Sequence, residues 1–217
     1  MVFRRSILLK LYRRLHKAYG PQSWWPARGD LEVIVGAVLT QNTSWTNVEY
    51  AIRNLRRERR LSLPAIHGLA HEELAQLIRP AGYFNVKARR LKNVCEWLAG
   101  SGGLAGARKR STEVLRTELL GVNGVGPETA DSILLYAFRR PVFVIDAYTR
   151  RLFVRLGLIA GEEPYESLRA AFESALDRDP ALFNEYHALI VRHEKEKCAG
   201  TPACRHCKVE GPVRSKT

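Results

Sequence analysis

The sequence predicts an all-α protein, and three observations carry that prediction. Apolar residues recur at three- and four-residue spacing through almost every segment of the 217-residue chain. Only one run looks β-like, residues 141–145 (PVFVI), and it is too short to build a sheet. No internal repeat and no long low-complexity linker interrupts the pattern. In residues 1–19, Leu8, Leu11, Tyr12, Leu15 and Tyr19 fall on one helical face. Residues 31–40 (LEVIVGAVLT) form an apolar run, and 47–55 continue with helical spacing. A short helix over 71–78 is closed by Pro80 and Gly82. Residues 87–98 put Leu91, Val94, Cys95 and Leu98 on one face and Lys and Arg on the other. The stretch 100–106 (GSGGLAG) reads as a flexible loop. Further helices follow over 112–120, 128–138, 148–156, 165–175 and 181–193.

Composition narrows the function. Apolar residues make up 46% of the chain, enough for a buried core. The formal charge is +13, from 35 Lys and Arg against 22 Asp and Glu. A surplus of that size points to a polyanionic partner, nucleic acid ahead of an anionic membrane. No run approaches the roughly 18 apolar residues of a membrane span. The basic, amphipathic start could be mistaken for a transit peptide, but its spacing suits the first helix of the fold. With no secretory apolar region, a cytoplasmic, nucleoid-associated protein is expected. Three of the four cysteines, Cys198, Cys204 and Cys207, crowd into the tail, which points to metal before disulfides in an intracellular chain. Cys95 sits on an apolar helical face and reads as core.

The most informative segment is 119–151. A helix ends at Leu120, glycines stand at 121, 124 and 126, and Pro127 opens another helix. Glycine permits positive φ and close backbone approach. A tight hairpin with backbone N–H groups at a helix start suits a phosphate and is indifferent to base sequence. On the turn alone, a packing corner between two helices explains the glycines equally well.

Ordered matches decide between these readings. Residues 122–130 (VNGVGPETA), the segment 142–151 around Asp146, the Leu39-Thr40-Gln41-Asn42-Thr43 helix end and the Gly82-Tyr83-Phe84-Asn85-Val86-Lys87-Ala88 turn resemble, in this order along residues 31–193, the motifs of the helix-hairpin-helix (HhH-GPD), endonuclease III-like DNA glycosylases. The resemblance implies a two-lobed helical fold with a helix-hairpin-helix motif. Residues 1–18 would pack with the C-terminal lobe, 19–130 would form a helical barrel ending in the hairpin, and 131–217 would form the C-terminal lobe. It also implies double-stranded DNA containing damaged bases as the partner, a monomer, and backbone binding through Gly121, Val122, Gly124, Gly126 and Thr129. Asp146 would be the catalytic carboxylate, stabilising an oxocarbenium-like sugar and orienting or deprotonating water. The flipped base leaves a hole in the stack, and Gln41 would be the wedge that fills it; read without the resemblance, Gln41 is a helix cap. Members that also nick the strand carry a Schiff-base lysine where this chain has Glu128, which implies a monofunctional enzyme. Lys87 is one lysine that could substitute.

The segments Tyr19-Gly20-Pro21-Gln22-Ser23-Trp24-Trp25-Pro26 and Gln41-Asn42-Thr43-Ser44-Trp45 are similar to the 3-methyladenine DNA glycosylase III branch. That likeness implies a pocket with Trp24, Trp25 and Pro26 on one side and Trp45 on the other, with Glu128 in or near it. Trp45 departs from the phenylalanine frequent in that branch. Indole faces favour a cationic base such as 3-methyladenine by roughly 0.5–2 kcal/mol, although tryptophans are often simply buried. Endonuclease III relatives hold a [4Fe–4S] cluster with four cysteines. Here the spacing is C-x5-C-x2-C and Val213 stands at the fourth position. An iron–sulfur cluster with another fourth ligand, a zinc site using His193 or His206, and a metal-free tail all remain open. Two rival functions also stand: a glycosylase for damaged or mismatched pyrimidines, and a non-catalytic DNA-binding hairpin module.

Overall fold

The computed structural model describes residues 2–196. Their regular structure is helical, with no strand among the described residues, as the spacing predicts. The described residues divide into two compact units: a central one, Ala27–Arg140, and a terminal one made of those up to Pro26 and those from Pro141 onward.

The central unit is built around α2 (Asp30–Leu39), whose residues from Glu32 to Leu39 are all buried. Such a helix needs neighbours on every side. It finds them in α3 (Trp45–Arg57), in α6 (Phe84–Gly100), in α9 (Pro127–Ser132) and in the π-helical turn Ile133–Ala137 that prolongs α9. Glu32, caught in this core, is paired with Arg56 of α3. Three short helices complete the unit's first half and middle: α4 (Leu63–Gly68), α5 (His71–Leu77) and α7 (Gly103–Arg108). The last corrects the flexible loop expected at 100–106. Gly102 and Gly103 take φ of 79° and 70°, which turns the chain out of α6, and a Cβ on Gly106 would overlap the Ser101 carbonyl oxygen. These glycines serve packing rather than mobility. The helix expected over 128–138 is likewise two pieces, α9 and the π turn, in which Phe138 N–H reaches back five residues to Ile133 O at 3.2 Å.

Lys87 has an unexpected place. It is 2% exposed, and its Nζ donates to Leu39 O at 2.9 Å and Ala81 O at 2.7 Å. It thereby satisfies the carbonyl end of α2 and of the turn Arg79–Ala81. Burial, and then the charge of Arg90, bring its pKa down to about 8.

The terminal unit joins α1 (Arg5–Tyr19), α10 (Ala147–Arg155), α11 (Tyr165–Ala175) and α12 (Pro180–Glu196). Leu8, Leu11 and Leu15 bury the apolar face of α1, and Tyr186 of α12 donates to Leu8 O at 2.9 Å. Residues 141–146 run extended through this unit without a strand partner, which accounts for their β-like look. Phe143 stacks on Phe172 of α11 at 4.0 Å between centroids. Its N–H donates to Glu173 at 3.0 Å, and the Ile145 N–H donates to the Tyr165 hydroxyl at 3.4 Å. Buried backbone donors need partners, and α11 side chains supply these two where a sheet would otherwise be needed. No helix among the described residues is long and apolar enough to cross a membrane.

In the central unit α8 (Thr112–Gly121) and α9 are tied by a buried pair. Arg116 Nε and Nη2 donate to the two oxygens of the fully buried Asp131 at 2.7 and 3.1 Å. Removing one partner of a buried pair strands the other. Asp131→Ala is expected to cost about 3 kcal/mol, seen as a fall in thermal midpoint of roughly 6–12 °C. A change under about 2 °C would show that the pair does not hold the hairpin helices together.

Candidate functional site

The extended segment delivers Asp146 to the N-cap of α10. Val142, Phe143, Val144 and Ile145 are all buried, so the chain enters the helix from the core and carries Asp146 in with it. The Asp146 Oδ1 accepts the Thr149 N–H at 2.7 Å, as an N-cap aspartate should. Its Oδ2 lies 3.3 Å from His187 Nε2 on α12. Asp146 is 8% exposed and His187 5%. Burial alone would push the carboxyl pKa up. The charge of His187, with the backbone hydrogen bond of Thr149, outweighs it and holds the group below the ordinary carboxylate value. The helix start adds favourable dipole in the same direction. The result is a buried carboxylate that stays ionised.

His187 is absent from the sequence-based candidates. It sits among Tyr186, Ala188, Leu189 and Ile190 on a buried helix, where a lone histidine gives no local signal of an ionic partner 41 residues upstream (187 − 146).

Around α10, Trp24 and Trp25 lie edge-to-face, 5.9 Å between centroids, both half-buried, while Pro26 is exposed. Lys195 Nζ stands over the Trp24 ring at 5.9 Å and over the Tyr148 ring at 5.7 Å, linking the tryptophan pair to the first turn of α10. Arg151 also lies over Tyr148, at 4.6 Å. A cation is therefore already present at the indole proposed for a cationic base.

The other candidates belong to the central unit. Trp45 is the first residue of α3, half-buried, with its Nε1 donating to Glu49 at 3.0 Å. In the hairpin, only Gly124 has positive φ, at 94°, and a Cβ there would fall inside the Arg90 side chain. Gly121 and Gly126 do not, and both have open space where a Cβ would sit. Val122 turns the chain through Val125 N–H to Val122 O at 3.0 Å, and Gly126 caps α9 in extended conformation ahead of Pro127. Glu128 is exposed in the first turn of α9, and Thr129 is buried. Gln41, in the turn after α2, donates to Gly124 O at 3.1 Å and Thr129 Oγ1 at 3.0 Å, and accepts from Arg90. It braces the hairpin rather than capping its own helix.

Cys198, Cys204, Cys207 and His206 lie outside the described residues. His193, weighed as a zinc ligand, is buried, with Nδ1 2.8 Å from the Tyr19 hydroxyl. Among the described residues no group of three or more His, Cys, Asp and Glu could hold a metal.

The Asp146–His187 pair makes a direct prediction. A carboxyl held below its free value contributes stability above that value and loses it as pH falls through the lowered one. His187→Asn should raise the Asp146 pKa, because burial remains while the largest opposing influence is gone. A 13C titration of the Asp146 carboxyl checks this; an unmoved midpoint would refute the coupling.

Comparison with known proteins places this geometry. The family of HhH-GPD superfamily base excision DNA repair proteins matches residues 35–178. A candidate DNA repair glycosylase of Methanocaldococcus jannaschii is 47% identical over 214 residues, covering 97% of each chain. The endonuclease III of Sulfolobus acidocaldarius is 28% identical over 184 residues, 84% of this chain and 80% of its own. The structure of the Helicobacter pylori 3-methyladenine DNA glycosylase bound to 1,N6-ethenoadenine superposes with a TM-score of 0.77 at 28% identity, over 90% of this chain and 99% of that one. A buried N-cap aspartate following a helix-hairpin-helix, within a fold and family match of this extent, makes the chain a member of the HhH-GPD superfamily of base excision DNA repair proteins, and within it a DNA repair glycosylase.

Proposed function

We propose that the chain is a monofunctional glycosylase that removes an alkylated purine such as 3-methyladenine from double-stranded DNA. The observation that carries this reading is Asp146, a buried carboxylate kept ionised by His187 and Thr149. When the bond between C1′ and the base nitrogen breaks, its electron pair leaves with the base and positive charge grows on the sugar. A fixed anion in a dry setting stabilises that charge. Because its pKa is lowered, Asp146 is a weak base, so this electrostatic role outweighs proton abstraction. Water then adds to C1′ and gives up a proton, leaving an abasic site. An N3-methylated adenine carries positive charge and leaves as a neutral base, so it needs no strong acid.

Three further features support the reading. Glu128 occupies the position of the Schiff-base lysine, and a carboxylate cannot form that adduct. Lys87, one lysine that could substitute, is buried with its Nζ committed to two carbonyls. The relative bound to ethenoadenine is a 3-methyladenine glycosylase. In this scheme Gln41 fills the gap left by the flipped base, the hairpin residues Gly121, Val122, Gly124, Gly126 and Thr129 seat a phosphate, and Trp24, Trp25, Pro26 and Trp45 receive the base.

The test is release of free 3-methyladenine from alkylated duplex DNA, with strand breaks appearing only after alkali and no adduct trapped by borohydride. Asp146→Asn should lower the rate by at least about 100-fold, the scale of a lost electrostatic catalyst. An Asp146→Asn variant as fast as wild type would end the mechanism, and release of uracil or oxidised pyrimidine in place of the purine would end the substrate assignment. Lys195 supplies a second prediction. Its charge beside Trp24 opposes a cationic base, so Lys195→Met should raise the rate on 3-methyladenine relative to the uncharged 1,N6-ethenoadenine by roughly two- to tenfold. An unchanged ratio would remove Lys195 from the pocket.

A further inference from the structure

Three segments far apart in sequence meet at the Gln41 amide. Its Nε2 donates one proton to Gly124 O at 3.1 Å and the other to Thr129 Oγ1 at 3.0 Å, while its Oε1 accepts from Arg90 Nη1. Arginine only donates, so the atom facing it must be the amide oxygen, which fixes the orientation of the group. Both amide protons are then used, and the third bond carries a full charge on its donor, the stronger kind. The Arg90 side chain also lies over Gly124, filling the volume that a Cβ would take, and Gly124 is the hairpin residue with left-handed backbone. Lys87, one turn earlier on α6, holds the end of α2 from which Gln41 emerges. Arg90 is half-buried, and its visible partner is Gln41.

We propose that Arg90 is the positioning residue of the wedge: it clasps Gln41 to the hairpin, so that seating of the hairpin on the DNA backbone and placement of the Gln41 side chain are one rigid event. This rests on the reading of Gln41 as the side chain that fills the vacated stack. A plug needs bulk at a fixed place and does not need a free amide, so a saturated amide suits the task. The charged bond from Arg90 is the one whose loss frees the side chain, since the remaining acceptors are neutral.

Binding of the full chain to two duplexes of identical sequence, one intact and one carrying a tetrahydrofuran abasic analogue, isolates this step from base chemistry. Arg90→Met keeps an apolar stem to lie on Gly124 and removes the donor, and an unchanged thermal midpoint verifies its fold. Gln41→Ala and Arg90→Met are each expected to weaken binding to the abasic duplex about tenfold, the scale of a lost charged hydrogen bond, and binding to the intact duplex by less than twofold. The double variant should be no weaker than either single one, because both remove the same unit. If Arg90→Met weakens both duplexes alike and lowers the salt slope by about one, Arg90 is a phosphate contact and the proposal is wrong. Selective loss with Gln41→Ala but not with Arg90→Met leaves the wedge and overturns the clasp. No selective loss with Gln41→Ala overturns the wedge itself and the clasp with it.

Discussion

A carboxylate taken out of water must be compensated where it sits or it will pick up a proton. In this protein that demand falls on Asp146 and organises the terminal unit. The Thr149 N–H meets one oxygen only because α10 begins at residue 147, and His187 meets the other only because α12 presents that side of its buried face to α10. The helix start, the histidine and the extended approach from the core thus serve a single charge. The same arrangement that makes the charge tolerable keeps it available for an electron-poor sugar. Structural necessity and chemical use coincide at this residue.

The central unit solves a related problem with neutral acceptors. Its organising helix, α2, is buried along nearly its whole length, so the carbonyls at its end cannot reach water freely. Lys87 meets one of them, and Gln41 beyond it is taken up by Arg90 and the hairpin. The Arg116–Asp131 pair fixes the two hairpin helices from the other side. A hairpin made of glycine and a six-residue helix has little rigidity of its own. Here it is borrowed from side chains in the turn after α2 and on α6 and α8.

Much of this was legible in the sequence, for reasons that can be named. Helical periodicity is local, so the spacing marks α11 at its observed bounds, Tyr165–Ala175, and α1, α2 and α10 within a few residues. The hairpin and the aspartate follow from short motifs whose residue types have few substitutes. What escaped was non-local or depended on backbone detail. The glycines at 102, 103 and 106 look like a flexible linker because composition does not tell a packing glycine from a mobile one. The π turn after Ser132 obeys the same apolar spacing as an α-helix, and α4, six residues long, offers too few positions for a period to show. His187 and Arg90 acquire their meaning from partners 41 and 49 positions away (187 − 146 and 90 − 41). Lys195 brings its own charge to Trp24, and no local pattern joins residues so distant.

The extended stretch ahead of Asp146 has a consequence for how this chain can vary over generations. Every side chain from Val142 to Ile145 is buried, and two of its amides hang on Glu173 and Tyr165. Its apolar content could drift among residues of similar volume without harm. Its length could not. Adding or removing a single residue would exchange the two sides of the segment, since successive side chains point in opposite directions, and would present the wrong residue to the start of α10. The segment acts as a ruler, and insertions and deletions among descendants of this sequence should be absent there while remaining admissible in the surface turns.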